Sequence, residues 1–225
     1  MSAKKIIITG AASGIGAATK ADLEARGAEV IGLDKNAIDD SIIECDVRDQ
    51  ASVDAAVAAA VERLGGLDVL INNAGVGIFR HVRELSVEEW KRTIETNLYG
   101  AFYCSREALF RFGTKSAGYI VNIGSLAGSN AFAGGAAYNA SKFGLTGFTD
   151  AMMQDVRSEN VKVSYIMPGS VATEFGGHPR DGADWKIWPE DVAEIVQMLL
   201  RMPPRTLVSR VEVRPARVRS SSGKA

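Results

Sequence analysis

Residues 5–34 read "KIIITGAASGIGAATKADLEARGAEVIGLD", and the way this stretch divides decides the fold. "KIIIT" (5–9) is β-branched and apolar through its centre, which suits a strand covered on both faces. Gly10, Gly14 and Gly16 crowd the turn that follows, and a helical pattern around 15–26 runs on from it. "EVIGL" (29–33) is then a second buried strand, closed by Asp34. Strand, glycine turn, helix and strand make one crossover unit of a parallel sheet.

The same alternation continues along the chain. Further strands are expected at "SIIEC" (41–45), "LDVLIN" (67–72), "GYIVNIG" (118–124), "VKVSYIM" (161–167) and "TLVSRVEV" (206–213). Helical patterns lie between them, around 50–64, 86–112, 137–158 and 189–201. The last opens on "PED", with proline and two acids where a helix N-terminus favours them. The expected fold is α/β: one domain over 1–213, a Rossmann-type doubly wound parallel sheet of about seven strands with helices on both faces. One connection departs from the pattern. Only "DKNAIDD" separates the second strand from the third, too short for the usual crossover helix, which must be reduced to a turn or missing. The tail "RPARVRSSSGKA" (214–225) is polar and basic and is expected to fray.

Composition narrows the function classes. Of 225 residues, 46% are hydrophobic and 24% charged, ordinary for a globular domain, and the net charge of −1 offers no basic field for nucleic acid or an anionic membrane. No apolar run approaches the ~20 residues that span a bilayer, and no apolar signal segment precedes the first strand. Cys45 and Cys104 fit neither a disulfide framework nor a metal pattern, and His81 and His178 are too scattered for a zinc site. A cytoplasmic protein with reduced thiols and no metal is expected.

The glycine turn carries chemistry. At a strand-to-helix turn, glycines let a diphosphate approach the helix N-terminus, where free amides and the dipole attract anions. Isolated glycines would be only a loose turn, but here a strand precedes, a helix follows and Asp34 closes the next strand. A carboxylate there accepts hydrogen bonds from the adenosine ribose hydroxyls and repels a 2′-phosphate, although Lys35 softens that repulsion. Ser13, before Gly14, offers no basic group. The expected cofactor is therefore NAD rather than NADP.

A second constellation lies in "AAYNASKFGL" (136–145), where Tyr138 and Lys142 stand one helical turn apart. With ordinary pKa values near ~10 and ~10.4, neither does much alone at neutral pH, but a nearby cation favours phenolate. Together with the glycine spacing, "NNAG" (72–75), Ser125 and "PGSVAT" (168–173), this pair resembles the classical short-chain dehydrogenase/reductase family over about residues 5–201. The resemblance implies an oxidoreductase that moves a hydride between NAD(H) and a secondary alcohol or ketone. It assigns Tyr138 as general acid/base, Lys142 as the group that depresses its pKa and binds the nicotinamide ribose, Ser125 as the holder of the substrate oxygen, and Asn97 as the anchor of a water-linked proton relay.

The resemblance also implies the cofactor contacts. They are Gly10, Ser13, Gly14, Ile15 and Gly16 at the phosphates, Asp34 at the ribose, and Asp46 with the Val47 backbone at the adenine. Asn73, Ala74 and Gly75 lie along the adenosine half, and Asn72 is equally readable as structural. Tyr138 and Lys142 also face the cofactor, and Pro168, Gly169, Val171 and Thr173 hold the nicotinamide. A small-molecule alcohol or ketone is the expected partner. A homodimer or homotetramer is expected through the helices around 98–112 and 138–158, whose Phe102, Phe110, Phe143 and Phe148 exceed one core stripe. Between Pro168 and Trp188, Gly176, Gly177, Pro179 and Gly182 disfavour a continuous helix, so a short mobile cover is expected, with Ala127, Phe132 and Trp185 lining an open pocket for a compact apolar substrate. His81 reads as a surface group, His178 as a solvated loop residue, and Trp188 as a staple before the last helix. Two alternatives stay open: a dinucleotide-binding redox sensor without turnover, and an epimerase or dehydratase of the extended branch. The latter needs a larger C-terminal substrate domain, whereas about two dozen residues follow Arg201.

Overall fold

Ile7 of β1 (Lys5–Thr9) points into one apolar layer while Ile6 and Ile8 point into the other, so every position at the centre of the strand is buried. The structure, a computed structural model, describes residues 3–112, 117–177 and 185–217. Two further strands repeat the division: Leu70 and Ile120 join the layer of Ile7, while Val69, Ile71, Tyr119 and Val121 join that of Ile6 and Ile8. This is why these strands read as continuous apolar runs rather than as alternating ones.

The sheet has seven parallel strands: β1, β2 (Glu29–Asp34), β3 (Ile42–Glu44), β4 (Val69–Asn72), β5 (Gly118–Ile123), β6 (Val161–Pro168) and β7 (Arg210–Val213). Their spatial order is β3-β2-β1-β4-β5-β6-β7, every pairing parallel. Helices α1 (Gly14–Ala25) and α6 (Pro189–Arg201) pack on one face, and α2 (Gln50–Leu64), α4 (Gly100–Arg111) and α5 (Ala136–Val156) on the other. The chain winds outward from β1 to β3 and then restarts at β4 on the other side. Loops after β1 and β4 therefore diverge and open a crevice at the carboxyl ends of the strands, where such sheets bind ligands.

Local chemistry sets the element ends. Gly65 ends α2 in the left-handed region, at φ 65°. Helix α3 (Val87–Ile94) begins with a capping box: Ser86 Oγ accepts from the Glu89 backbone N–H, and the Glu89 carboxylate accepts from that of Ser86. No helix joins β2 to β3, as the short "DKNAIDD" requires.

Two expectations need correction. The single helix over 86–112 is two helices, α3 and α4, joined by a π-helical segment, Glu95–Tyr99. Sequence periodicity cannot show one inserted residue in a hydrogen-bond ladder. Trp188 is not the staple: it is the N-cap of α6 and 40% exposed, while Ile187 before it is buried in the cluster that contains Val192. At the start of the tail, Pro215 Cδ lies 3.2 Å from where a Cβ on Gly169 would sit, and Arg214 and Arg217 border the crevice. The rest of the tail, 218–225, lies outside the described residues. No helix among the described residues is long and apolar enough to cross a membrane.

Candidate active site

The crevice is a cleft of about 2000 Å³, larger than the roughly 300–1000 Å³ of an ordinary small-molecule pocket. It begins at the glycine turn. Gly10 has φ +67° and lies so close to the β4 loop that a Cβ would stand 2.8 Å from Ala74 Cα. A Cβ on Gly16 would meet the Gly10 carbonyl oxygen at 2.0 Å, so the first turn of α1 presses against the end of β1. Ser13 precedes α1 in extended backbone and gives no side-chain cap, and the first turn carries no acid. The first amides of α1 are thus left to an anion. Gly14, at φ +55°, faces Thr173 across the cleft.

Asp34 ends β2 with both oxygens placed: Oδ2 accepts from the Ala12 N–H at 3.1 Å and Oδ1 from the Asn36 N–H at 3.0 Å. Lys35, Asp46, Val47 and Arg48 line the cleft beside it. Arg48 was not foreseen. Its guanidinium forks onto Asp46, with Nε at 2.9 Å from Oδ1 and Nη2 at 2.5 Å from Oδ2, and holds that carboxyl below its usual range. An adenine contact from Asp46 must therefore share the carboxylate with Arg48.

The β4 loop divides into structural and cleft-facing parts. Asn72 turns away from the cleft: Nδ2 donates to Asn122 Oδ1 and Ser105 Oγ, both at 2.8 Å, so its structural reading is the right one. Asn73 Nδ2 donates to the carbonyls of Thr9 and Gly10 at 3.0 and 3.1 Å, and Thr9 Oγ1 accepts from the N–H groups of Asn73 and Ala74 at 3.0 Å. Asn73 is a clamp on the glycine turn as well as a lining residue. Ile15, Ala74, Gly75, Pro168, Gly169, Val171 and Thr173 all border the cleft.

At its other end the cleft gathers Ser125, Tyr138 and Lys142. Ser125 follows β5 in extended backbone and caps a 3-10 turn, its Oγ accepting from the Ala127 N–H at 3.1 Å. Tyr138 and Lys142 stand on α5 with Nζ 5.8 Å from the ring centroid, and Lys142 is 4% exposed. Nζ donates to the Ile123 carbonyl at 3.3 Å. Burial pushes Lys142 down to about 8 and pushes the Tyr138 phenol above its ordinary value, while hydrogen bonding with Ser125 opposes the rise. Burial is the largest influence on the Tyr138 phenol in the chain by itself.

Asn97 lies in the π-helical segment, a feature that often marks functional positions. Its side chain is buried and bonded at both ends: Oδ1 accepts from the Val76 N–H at 2.8 Å, and Nδ2 donates to the Val76 carbonyl at 2.9 Å and to Ser141 Oγ at 3.0 Å. It ties the β4 loop to α5 beneath Lys142.

Of the rings around Tyr138, sequence reading named Phe132 as a pocket residue but not Phe79 or Phe175. Phe79 and Phe175 pack edge-on against it, with centroids at 5.4 and 5.8 Å, and Phe132 stands at 6.5 Å. A Cβ on Gly77 would lie 2.4 Å from the Phe175 ring, so a glycine is what lets that ring lie flat on the β4 loop. Only the long-range approach of four segments makes this cluster; no local pattern signals it. Ala127 and Trp185 also line the cleft, as expected. Gly176 adopts φ +75° and breaks the short turn Phe175–Gly177, while the expectations for His178, Pro179 and Gly182 lie outside the described residues. His81 is exposed on a loop, and Cys45 and Cys104 are buried free thiols.

A doubly wound sheet with a glycine turn, an acid at the end of β2 and a Ser/Tyr/Lys group at the same crevice defines a dinucleotide-binding oxidoreductase type of domain. A family model described as short chain dehydrogenase matches residues 4–183, and the chain belongs to that family. It is 31% identical to an uncharacterized oxidoreductase of Staphylococcus haemolyticus, over 93% of this chain and 96% of that protein. Among solved structures it is similar to an alcohol dehydrogenase from the archaeon Thermococcus sibiricus complexed with 5-hydroxy-NADP, at 25% identity and a TM-score of 0.88 over 96% of this chain and 98% of that one. It is also similar to a Thermoplasma acidophilum aldohexose dehydrogenase in ligand-free form, at 26% identity and a TM-score of 0.85 over 99% and 98% of the two chains.

Proposed function

We propose that this oxidoreductase interconverts a secondary alcohol and a ketone with NAD(H), using Tyr138 as the group that exchanges the proton. The observation that carries the reading is the meeting of Ser125, Tyr138 and Lys142 in the same cleft as the glycine turn and Asp34. The cofactor's contribution when bound is the nicotinamide carbon that accepts or returns the hydride. Gly10, Ser13, Gly14, Ile15 and Gly16 would hold its diphosphate, Asp34 its adenosine ribose, and Pro168, Gly169, Val171 and Thr173 its nicotinamide end. The uncapped first turn of α1 and the placed Asp34 carboxylate fit a dinucleotide without a 2′-phosphate. The Thermococcus relative's structure contains an NADP derivative, so the choice between NAD and NADP is a direct test of Asp34.

In the reduction, Tyr138 gives its proton to the carbonyl oxygen while Ser125 Oγ–H holds that oxygen. Burial keeps the phenol protonated at neutral pH, which is the form this direction needs. In the oxidation the phenol must first lose its proton, so that direction should quicken as pH rises. Lys142 stays largely cationic below about 8 and supplies positive charge beside the phenolate. Asn97 holds the β4 loop and α5 in register. Phe79, Phe132 and Phe175 around Tyr138 favour a largely apolar substrate.

For assembly, we propose a homodimer or homotetramer built on α4 and α5. Phe110 is 69% exposed, and Phe102 and Phe143 are exposed as well, so three of the four phenylalanines on these helices do not face their own sheet. Phe148 does pack inward.

The test is initial-rate assay of the purified protein with NAD and with NADP against a panel of secondary alcohols and ketones graded from polyol to alkyl to aryl. Turnover with NAD, greatest on apolar members, is expected. NAD binding without turnover on any member would leave the sensor reading instead.

A further inference from the structure

Behind the Ser125–Tyr138–Lys142 group stands a second tyrosine. Tyr165 on β6 is 1% exposed, and its ring fills the space beside the end of β5. A Cβ on Gly124 would lie 2.1–2.2 Å from its ring and phenol oxygen, and one on Gly128 would lie 2.7 Å from that oxygen. The phenol thus reaches the two segments that carry the site. On α5 it meets Thr146 Oγ1 at 3.1 Å and the Lys142 carbonyl at 3.4 Å. Thr146 Oγ1 also lies 3.0 Å from the Lys142 carbonyl and 3.2 Å from that of Gly128. On the turn after β5, the phenol oxygen lies against Gly124, next to Ser125, whose backbone favours the ionised phenol. Two hydroxyls therefore join the peptide groups of Gly128 and Lys142 beside the Gly124–Ser125 turn. A ring that only filled volume would need no hydroxyl here, and an unpaired one would be costly.

We propose that Tyr165 is a positioning residue for the alcohol–ketone reaction: its hydroxyl braces the Ser125 backbone against α5 and so sets the approach of the Ser125 hydroxyl to the Tyr138 phenol. The inference rests on the dehydrogenase reading above. The hydrogen bond from Ser125 favours phenolate at Tyr138, and such a bond weakens steeply with misalignment. Loss of the brace should therefore raise the pKa of Tyr138. Tyr165 itself acts on Tyr138 in the opposite sense, with a smaller effect than that of Ser125. The other groups facing Tyr138 are Lys142 and the uncharged rings of Phe79, Phe132 and Phe175. Tyr165 is faced by Asp150 of α5 and Arg210 of β7, which pair with each other at 2.8 Å.

Tyr165→Phe keeps the ring and removes the hydroxyl. The titration of Tyr138 is read without turnover, as the tyrosinate absorbance difference between a protein and its Tyr138→Phe counterpart, with and without the Tyr165 change. Tyr138 should titrate higher in the Tyr165→Phe background, with kcat down roughly ten- to hundredfold, as misplacement by a fraction of an ångström to an ångström produces. The NAD Kd should stay at the wild-type value. Either the titration or kcat holding its wild-type value in a folded variant overturns the proposal, as does a fall in kcat matched by equal loss of NAD binding. Should Tyr165→Phe not fold, Thr146→Val removes the partner hydroxyl from α5 and must give the same pattern. Absence of wild-type turnover would overturn the dehydrogenase reading instead, and the titration separates the two failures.

Discussion

Replacing Lys142 by methionine should make the protein more stable and inactive. The ammonium is almost wholly buried, it donates to the Ile123 carbonyl, and among the described residues no carboxylate pairs with it. Burial alone lowers its pKa from 10.5 to about 8. At about 1.4 kcal/mol per pH unit, that drop corresponds to about 3 kcal/mol of destabilisation wherever the lysine is charged in both states. Methionine has a similar length and no charge, and it loses one hydrogen bond worth about 1 kcal/mol. The net gain is about 2 kcal/mol, or roughly 4–8 °C in Tm for a chain of this size. The sign with pH follows from proton binding. The unfolded lysine keeps its proton up to 10.5 and the folded one only to about 8, so between those values the unfolded state binds more protons and the wild type gains stability as pH rises. The advantage of Lys142→Met is therefore full below about pH 8 and fades toward 10.5. Urea unfolding of both proteins across that range measures it. Lower stability of the variant at pH 7, or a difference that does not change with pH, would refute the account of a desolvated ammonium retained for function at a cost in stability.

Other outcomes are open to measurement. Tyr138→Phe keeps the ring packing of Phe79 and Phe175, so turnover should fall about 10²–10⁴-fold with NAD binding near wild type; retention of most of kcat would sink the proton-exchange role. Asp34→Ala should narrow the NAD/NADP gap in kcat/KM by weakening NAD and relieving repulsion, and a wild-type preference for NADP would show that Lys35 and Arg48 outweigh Asp34. Light scattering should give a homo-oligomer, and Phe110→Glu with Phe143→Glu should dissociate it; a wild-type monomer at micromolar concentration refutes association through α4 and α5. Gly16→Ala must push α1 off the Gly10 carbonyl, so NAD binding, followed by calorimetry, should be lost before the fold is; unchanged affinity would mean the turn does not hold the diphosphate.

Much of this protein was legible in one dimension because its signals are local. The alternation of "KIIIT"-like runs with helical patterns places seven strands within a few residues of their ends, since a strand buried on both faces has no polar positions to confuse its reading. The glycine spacing and Asp34 are legible for a similar reason: tight turns and close approaches exclude most side chains. What the tertiary structure alone decided is how distant segments compete for the same groups. Asn72 belongs to the sheet interior and Asn73 to the glycine turn, because each pairing depends on the arrangement of neighbouring segments rather than on residue type. The rise of the Tyr138 phenol comes first from its burial, and Phe79, Phe132 and Phe175, three rings from separate loops, pack around it. Desolvation is a property of everything that surrounds a group, so a sequence pattern that names the tyrosine and the lysine says little about how much water the fold leaves them.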